Sequence, residues 1–151
     1  MKHVRIRAVI LILSVALGAA PAVAEPEPES VIKYRQAFMK ALGGHSGAVS
    51  QIVRGGFAPD GHLLVHARAI AGLSQGLLAV FPEGSDFGET RAKPEIWARW
   101  TQFKKIGEDG AAAGAELLRA VERGDAAEVA DRYARLGETC KACHKDFRAE
   151  E

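Results

Sequence analysis

The sequence predicts an all-α protein, an antiparallel up-down-up-down four-helix bundle. Apolar residues recur every three or four positions along four stretches, the pattern of helices that each bury one face. No stretch alternates apolar and polar residues with period two for long enough to make a strand. The connections between the four stretches are mostly short, which makes consecutive helices antiparallel neighbours.

Ahead of the first helix lies a segment with a different character. Residues 1–7 carry Lys2, Arg5 and Arg7, residues 8–20 are apolar apart from Ser14 and Gly18, and Ala22-Val23-Ala24 ends the run with small residues. A basic start, an apolar middle and an Ala-x-Ala end predict a secretory signal peptide over residues 1–24, cleaved after Ala24. The apolar run is about 13 residues long, short of the roughly 20 that a membrane span needs, which argues against an anchor. Glu25-Pro26-Glu27-Pro28-Glu29 reads as a disordered lead-in over residues 25–29, with the bundle filling residues 30–151. Losing 24 of 151 residues leaves 127, the size of one domain. Three of the 20 basic residues leave with the signal while all 19 acidic ones stay, so the mature chain carries a net charge of −2. That balance argues against nucleic acid or an anionic membrane surface as the main partner.

The first helix follows from Val31, Tyr34, Phe38, Leu42, His45, Val49 and Ile52 along one face, with Ser30 as N-cap and Gly55-Gly56 as the stop. Gly43-Gly44 is its weak point and a place for a bend. The second helix follows Pro59-Asp60 and runs through Leu63, Leu64, Ala67, Ile70, Ala71, Leu77 and Leu78 to Phe81-Pro82. Residues 82–93 are rich in Gly and polar groups and read as a loop, long enough to cover something.

Pro94 then suits the first turn of a long third helix carrying Ile96, Trp97, Trp100, Phe103, Ile106, Leu117, Leu118 and Val121. Gly107, Gly110 and Gly114 weaken its middle. Gly124 ends it, and Asp125 caps a fourth helix with Val129, Tyr133 and Leu136 on its apolar face.

That fourth helix ends in Cys140-Lys141-Ala142-Cys143-His144, the attachment signature of a c-type haem. Residues three and four apart share a helix face, so both thiols and the imidazole point the same way. The thiols suit two thioethers to one porphyrin, and His144 is placed to ligate its iron. A redox disulfide would want a βαβ context that the pattern lacks. Two inert thiols, or a zinc site completed by His62 and His66, would use the same cysteines. Haem attachment is the reading that the spacing favours, and it puts one covalent haem c inside the bundle.

With these features the chain resembles the class II c-type cytochromes, cytochrome c′ and its low-spin relatives. The resemblance rests on Val31-Ile32-Lys33-Tyr34-Arg35-Gln36 with Met39, on Phe81-Pro82, on Lys93-Pro94-Glu95-Ile96-Trp97, and on Cys140 to His144 followed by Lys145-Asp146-Phe147-Arg148. It spans essentially the whole mature chain, and the motif's place behind three helices singles out this class. It implies one haem, a proximal His144, a periplasmic home and often a homodimer. It also implies that Arg35 and Gln36 lie near the haem. Thr90 and Glu95 flank the long loop and are expected to touch the haem edge.

Met39 is the only Met outside the signal segment. His144 lies about 8 Å from the end of the fourth helix and Met39 about 14 Å from the start of the first. Antiparallel neighbours bring those levels together, so Met39 lines the face opposite His144. The low-spin relatives place their distal ligand four residues after such an Arg, and a thioether raises the reduction potential. Two states follow: Met39 ligates the iron, or it packs over an open one.

The leading expectation is ligation and single-electron transfer with periplasmic redox partner proteins. The alternative is a five-coordinate iron that binds nitric oxide or carbon monoxide. Enzymatic chemistry of the peroxidase type wants a distal acid or base, and Phe38, Met39 and Leu42 supply none. His45, His62 and His66 read as surface or core histidines.

Overall fold

Pro28 opens the first helix, because its fixed φ and missing N–H suit the first turn, where that N–H has no partner. The structure is a computed structural model that describes residues 27–56 and 59–150. It consists of α1 (Pro28–Val53), α2 (His62–Gly76), a 3₁₀ turn (Leu77–Val80), α3 (Glu95–Ala98), α4 (Trp100–Arg123) and α5 (Ala126–Phe147). Among the described residues there is no strand, and one isolated antiparallel bridge pairs Ala92 with Arg148. The expected signal peptide, with Glu25 and Pro26 of the lead-in, lies outside the described residues.

The boundaries correct the sequence reading in three places. Ser30 is not an N-cap: it sits inside α1, its N–H bonded to Glu27 O at 2.9 Å, and residues 28 and 29 of the expected lead-in are helical. The α-helix of the second stretch stops at Gly76, and a tighter 3₁₀ turn carries the chain to Val80. The third stretch is two helices, broken at Arg99 with φ −119° and ψ 42°. The break lets α3 bury Ile96 and lets Trp97 donate its indole N–H to Pro82 O at 3.0 Å, while Arg99 lies over the Phe147 ring. Other expectations hold. Asp125 caps α5 by accepting from the Glu128 N–H at 3.0 Å, and Gly124 closes α4 with φ 76°. Against the weak point expected at Gly43-Gly44, α1 runs unbroken through both.

The four long helices form a ring of seams, α1 to α2, α2 to α4, α4 to α5 and α5 back to α1, as an up-down-up-down bundle requires. Two glycines expected to weaken α4 are contact points instead. A Cβ on Gly107 would stand 2.7 Å from Leu78 Cδ2, and one on Gly114 would stand 3.2 Å from Ser74 Oγ. Both are sites where α2 and its 3₁₀ turn approach α4 closely.

The core is divided in two. One cluster holds Val49, Ile70, Leu117, Ala120, Val129 and Leu136; the other holds Val80, Phe81, Ile96, Phe103 and Phe147. Phe103 meets both Phe81 and Phe147 edge-on, at ring-centre separations of 4.8 and 5.3 Å.

Candidate haem site

Cys140, Cys143 and His144 occupy the last turns of α5, and the intervening Lys141 and Ala142 are exposed. Both thiols are free and half-buried. They straddle the divided core: Cys140 packs against the cluster around Leu136, Cys143 against the cluster around Phe103. Burial pushes both thiols up, Cys143 to about 11 with the charges of Cys140 and Asp146 adding to the effect. Before haem attachment both are therefore neutral thiols at pH 7.

Across the bundle α1 straddles the same division. Phe38 and Met39 pack against the cluster that receives Cys143, and Leu42 against the cluster that receives Cys140. Of the four interhelical seams, α1 to α5 is the most sparsely packed. A thinly filled seam, bordered by half-buried apolar residues and ending in two thiols and an imidazole, fits a flat, covalently held porphyrin. The Cys2His2 zinc arrangement is not assembled, since among the described residues no three side chains of metal-binding type converge.

His144 is exposed on the motif face, and Arg148, one turn later, lies 3.3 Å from its Nδ1 through Nη1. Desolvation, then the charges of Arg148 and Arg91, hold the imidazole below its usual pKa and favour the neutral ring that a metal ligand needs.

Arg35 is buried, 3% exposed, rather than a solvated helix charge. Its Nη1 donates to Ser85 Oγ at 2.8 Å, and its Nη2 donates to Ser85 O and Thr90 Oγ1, each at 2.9 Å. Phe81 and Trp97 rings lie 5.1 and 5.9 Å from the guanidinium carbon. Gln36 donates to Glu89 O at 2.7 Å. Arg35, Gln36 and Thr90 are thus brought together where the loop of residues 82–93 crosses α1, while Glu95 is exposed at the start of α3, outside that network. The other end of the loop is tied to the end of α5 by Lys93 N–H to Phe147 O at 3.0 Å and Ala149 N–H to Arg91 O at 2.8 Å.

Sequence reasoning missed two participants. Ser85 is 1% exposed and also donates to Pro82 O, yet a serine in a polar loop carries no signal of that role. Arg148 was recoverable, because a position four residues after His144 shares its face.

The family model described as Cytochrome C′ matches residues 30–148. The chain belongs to the cytochrome c′ family. It accordingly carries one covalent haem c with iron, as members of that family do. The cytochrome c′ of Pararhodospirillum photometricum is 38% identical over 122 residues, 80% of this chain and 98% of that protein. A cytochrome c′ described as having an unusual ligand-controlled dimer dissociation is 28% identical, with a TM-score of 0.77 over 84% of this chain and all of that one. The nitric oxide complex of a cytochrome c′ variant from Alcaligenes xylosoxidans is 28% identical, with a TM-score of 0.76 over 82% of this chain and 98% of that one.

Proposed function

We propose that this cytochrome c′ family member is a five-coordinate haem protein that binds a diatomic gas, nitric oxide or carbon monoxide, opposite His144. Cys140 and Cys143 hold the porphyrin by thioethers, and His144 is the proximal ligand. The observation that carries the reading is the apolar make-up of the facing stretch of α1, where Phe38, Met39 and Leu42 offer no proton donor or ionisable group. An uncharged, weakly polar gas enters such surroundings at little cost, whereas water and anions must leave their hydration behind. When bound, the haem iron would supply the coordination position that the gas takes. The nitric oxide complex of the Alcaligenes relative supports the same reading. This reverses the order of the sequence expectation, which put Met39 ligation and electron transfer first.

Arg35 is a buried cation that no carboxylate among the described residues neutralises. Its charge, with Gln36 and Thr90, favours a haem propionate beside the loop. A mature periplasmic chain starting at Glu25, and a homodimer whose association responds to the gas, complete the proposal; the dimer draws on the ligand-controlled relative.

One observation favours a second reading. Met39 packs against the same core cluster as Cys143, which supports a sulfur-ligated iron in an electron carrier that serves redox partner proteins. Absorption spectra of the purified ferric and ferrous protein decide between the two. The proposal expects a high-spin iron that takes up carbon monoxide directly; a low-spin spectrum in both oxidation states would transfer the assignment to Met39. Two checks bear on the rest. Haem should resist acid–acetone extraction unless Cys140 and Cys143 are both replaced by Ser, and the periplasmic product should have the mass of residues 25–151 plus one haem.

A further inference from the structure

Three of the chain's five histidines gather where α1 meets α2, away from the haem motif. His45 of α1 and His66 of α2 face each other with their Nδ1 atoms 2.9 Å apart and ring centres 5.2 Å apart. Two neutral imidazoles can meet this way only if one Nδ1 donates and the other accepts. His62 stands one helical turn before His66, with its ring centre 6.1 Å away. Among the described residues no carboxylate pairs with any of the three.

We infer that this cluster is a binding site for a divalent transition-metal ion of the zinc class. His45 and His66 supply two nitrogen ligands from different helices, and His62 turns inward as the third. Two nitrogens on a tetrahedral zinc at about 2.0–2.1 Å lie about 3.3 Å apart, so the pair opens by only about 0.4 Å to admit the ion. His62 and His66 form the i, i+4 arrangement in which two imidazoles on one helix face can share an ion. No three ligands already converge, so rotation of His62 is a required step. His62 is exposed, which leaves its ring room to turn and lets solvent complete the coordination.

The site shares no residue with the haem motif, and it lies about 9 Å along α1 from Met39. An ion here would staple α1 to α2.

The test is isothermal titration of untagged holoprotein with Zn²⁺, the haem spectrum being recorded in parallel. The expected result is one saturable equivalent per chain, no change in the haem bands, and a rise in melting temperature that a chelator reverses. His45→Gln and His66→Gln, each retaining the wild-type haem spectrum and helicity, should weaken binding at least tenfold, and His62→Gln several-fold. Absence of saturable binding at millimolar Zn²⁺, or binding that survives both His45→Gln and His66→Gln unchanged, would overturn the site.

Discussion

Arg35 and Ser85, fifty positions apart in sequence, are joined by two hydrogen bonds, one to the serine hydroxyl at 2.8 Å and one to its carbonyl at 2.9 Å. Neither residue is exposed, so the pair fastens the long loop onto α1 from inside. A buried guanidinium is costly unless its donors are used, and here Ser85 and Thr90 accept three hydrogen bonds from it while the Phe81 face meets its charge.

Removing that fastening should be expensive. Arg35→Ala is expected to cost the holoprotein about 2–4 kcal/mol in urea unfolding, because the loop loses its buried anchor. Arg35→Lys keeps the charge but not the planar fork, and should fall about midway. A loss under 1 kcal/mol for Arg35→Ala would mean that the loop is held by its α5 end alone.

Met39→Ala tests what covers the iron. If Met39 only packs there, the spin state should stay the same and carbon monoxide should bind faster, on the order of tenfold, or about 1.4 kcal/mol of barrier. Stopped-flow mixing after reduction measures this. A change from low-spin to high-spin on substitution would instead identify the sulfur as a ligand.

Gly43 lies in the exposed interior of α1, where an added Cβ would meet nothing within 4 Å. Gly43→Ala should therefore stabilise the protein by about 0.5–1 kcal/mol, through helix propensity and a less flexible unfolded chain. Thermal unfolding provides the check; no rise in melting temperature would contradict it.

Glu128 should govern part of the acid limb. The hydrogen bond from Arg123 lowers its pKa, with help from Arg132 and against some desolvation, so the folded value lies below 4.5. A depressed carboxylate stabilises the fold above its unfolded pKa, and that contribution disappears as pH falls through the folded value. Carboxyl NMR should show Glu128 titrating below the ordinary glutamate value, and Glu128→Gln should flatten the stability profile below about pH 4.5.

Arg148 sits 3.3 Å from His144 Nδ1 and places a positive charge beside the proposed proximal ligand. Such a charge favours the ferrous state, so Arg148→Ala should lower the reduction potential. A shift of roughly 20–60 mV corresponds to about a two- to tenfold change in the one-electron equilibrium. Spectroelectrochemistry would show an unchanged potential if solvent screens the pair completely.

Much of this molecule was legible locally. The apolar spacing around Phe38 and Leu42, the Asp125 cap, the Gly124 stop and the 140–144 motif each depend on residues within a turn or two. For such features helix geometry converts spacing directly into a shared face. The division of the third stretch at Arg99 was not legible, because it follows from Trp97 reaching Pro82 O across fifteen positions.

By itself the sequence determined the helical content, the family resemblance and the face that Cys140, Cys143 and His144 share. Only the tertiary structure decided that Arg35 is buried against Ser85, that Gly107 and Gly114 seat α2 on α4, and that His45 pairs with His66. The reason is physical. Periodicity says which face of a helix is turned inward, but rotation, sliding and crossing of whole helices set which side chains on two inward faces meet.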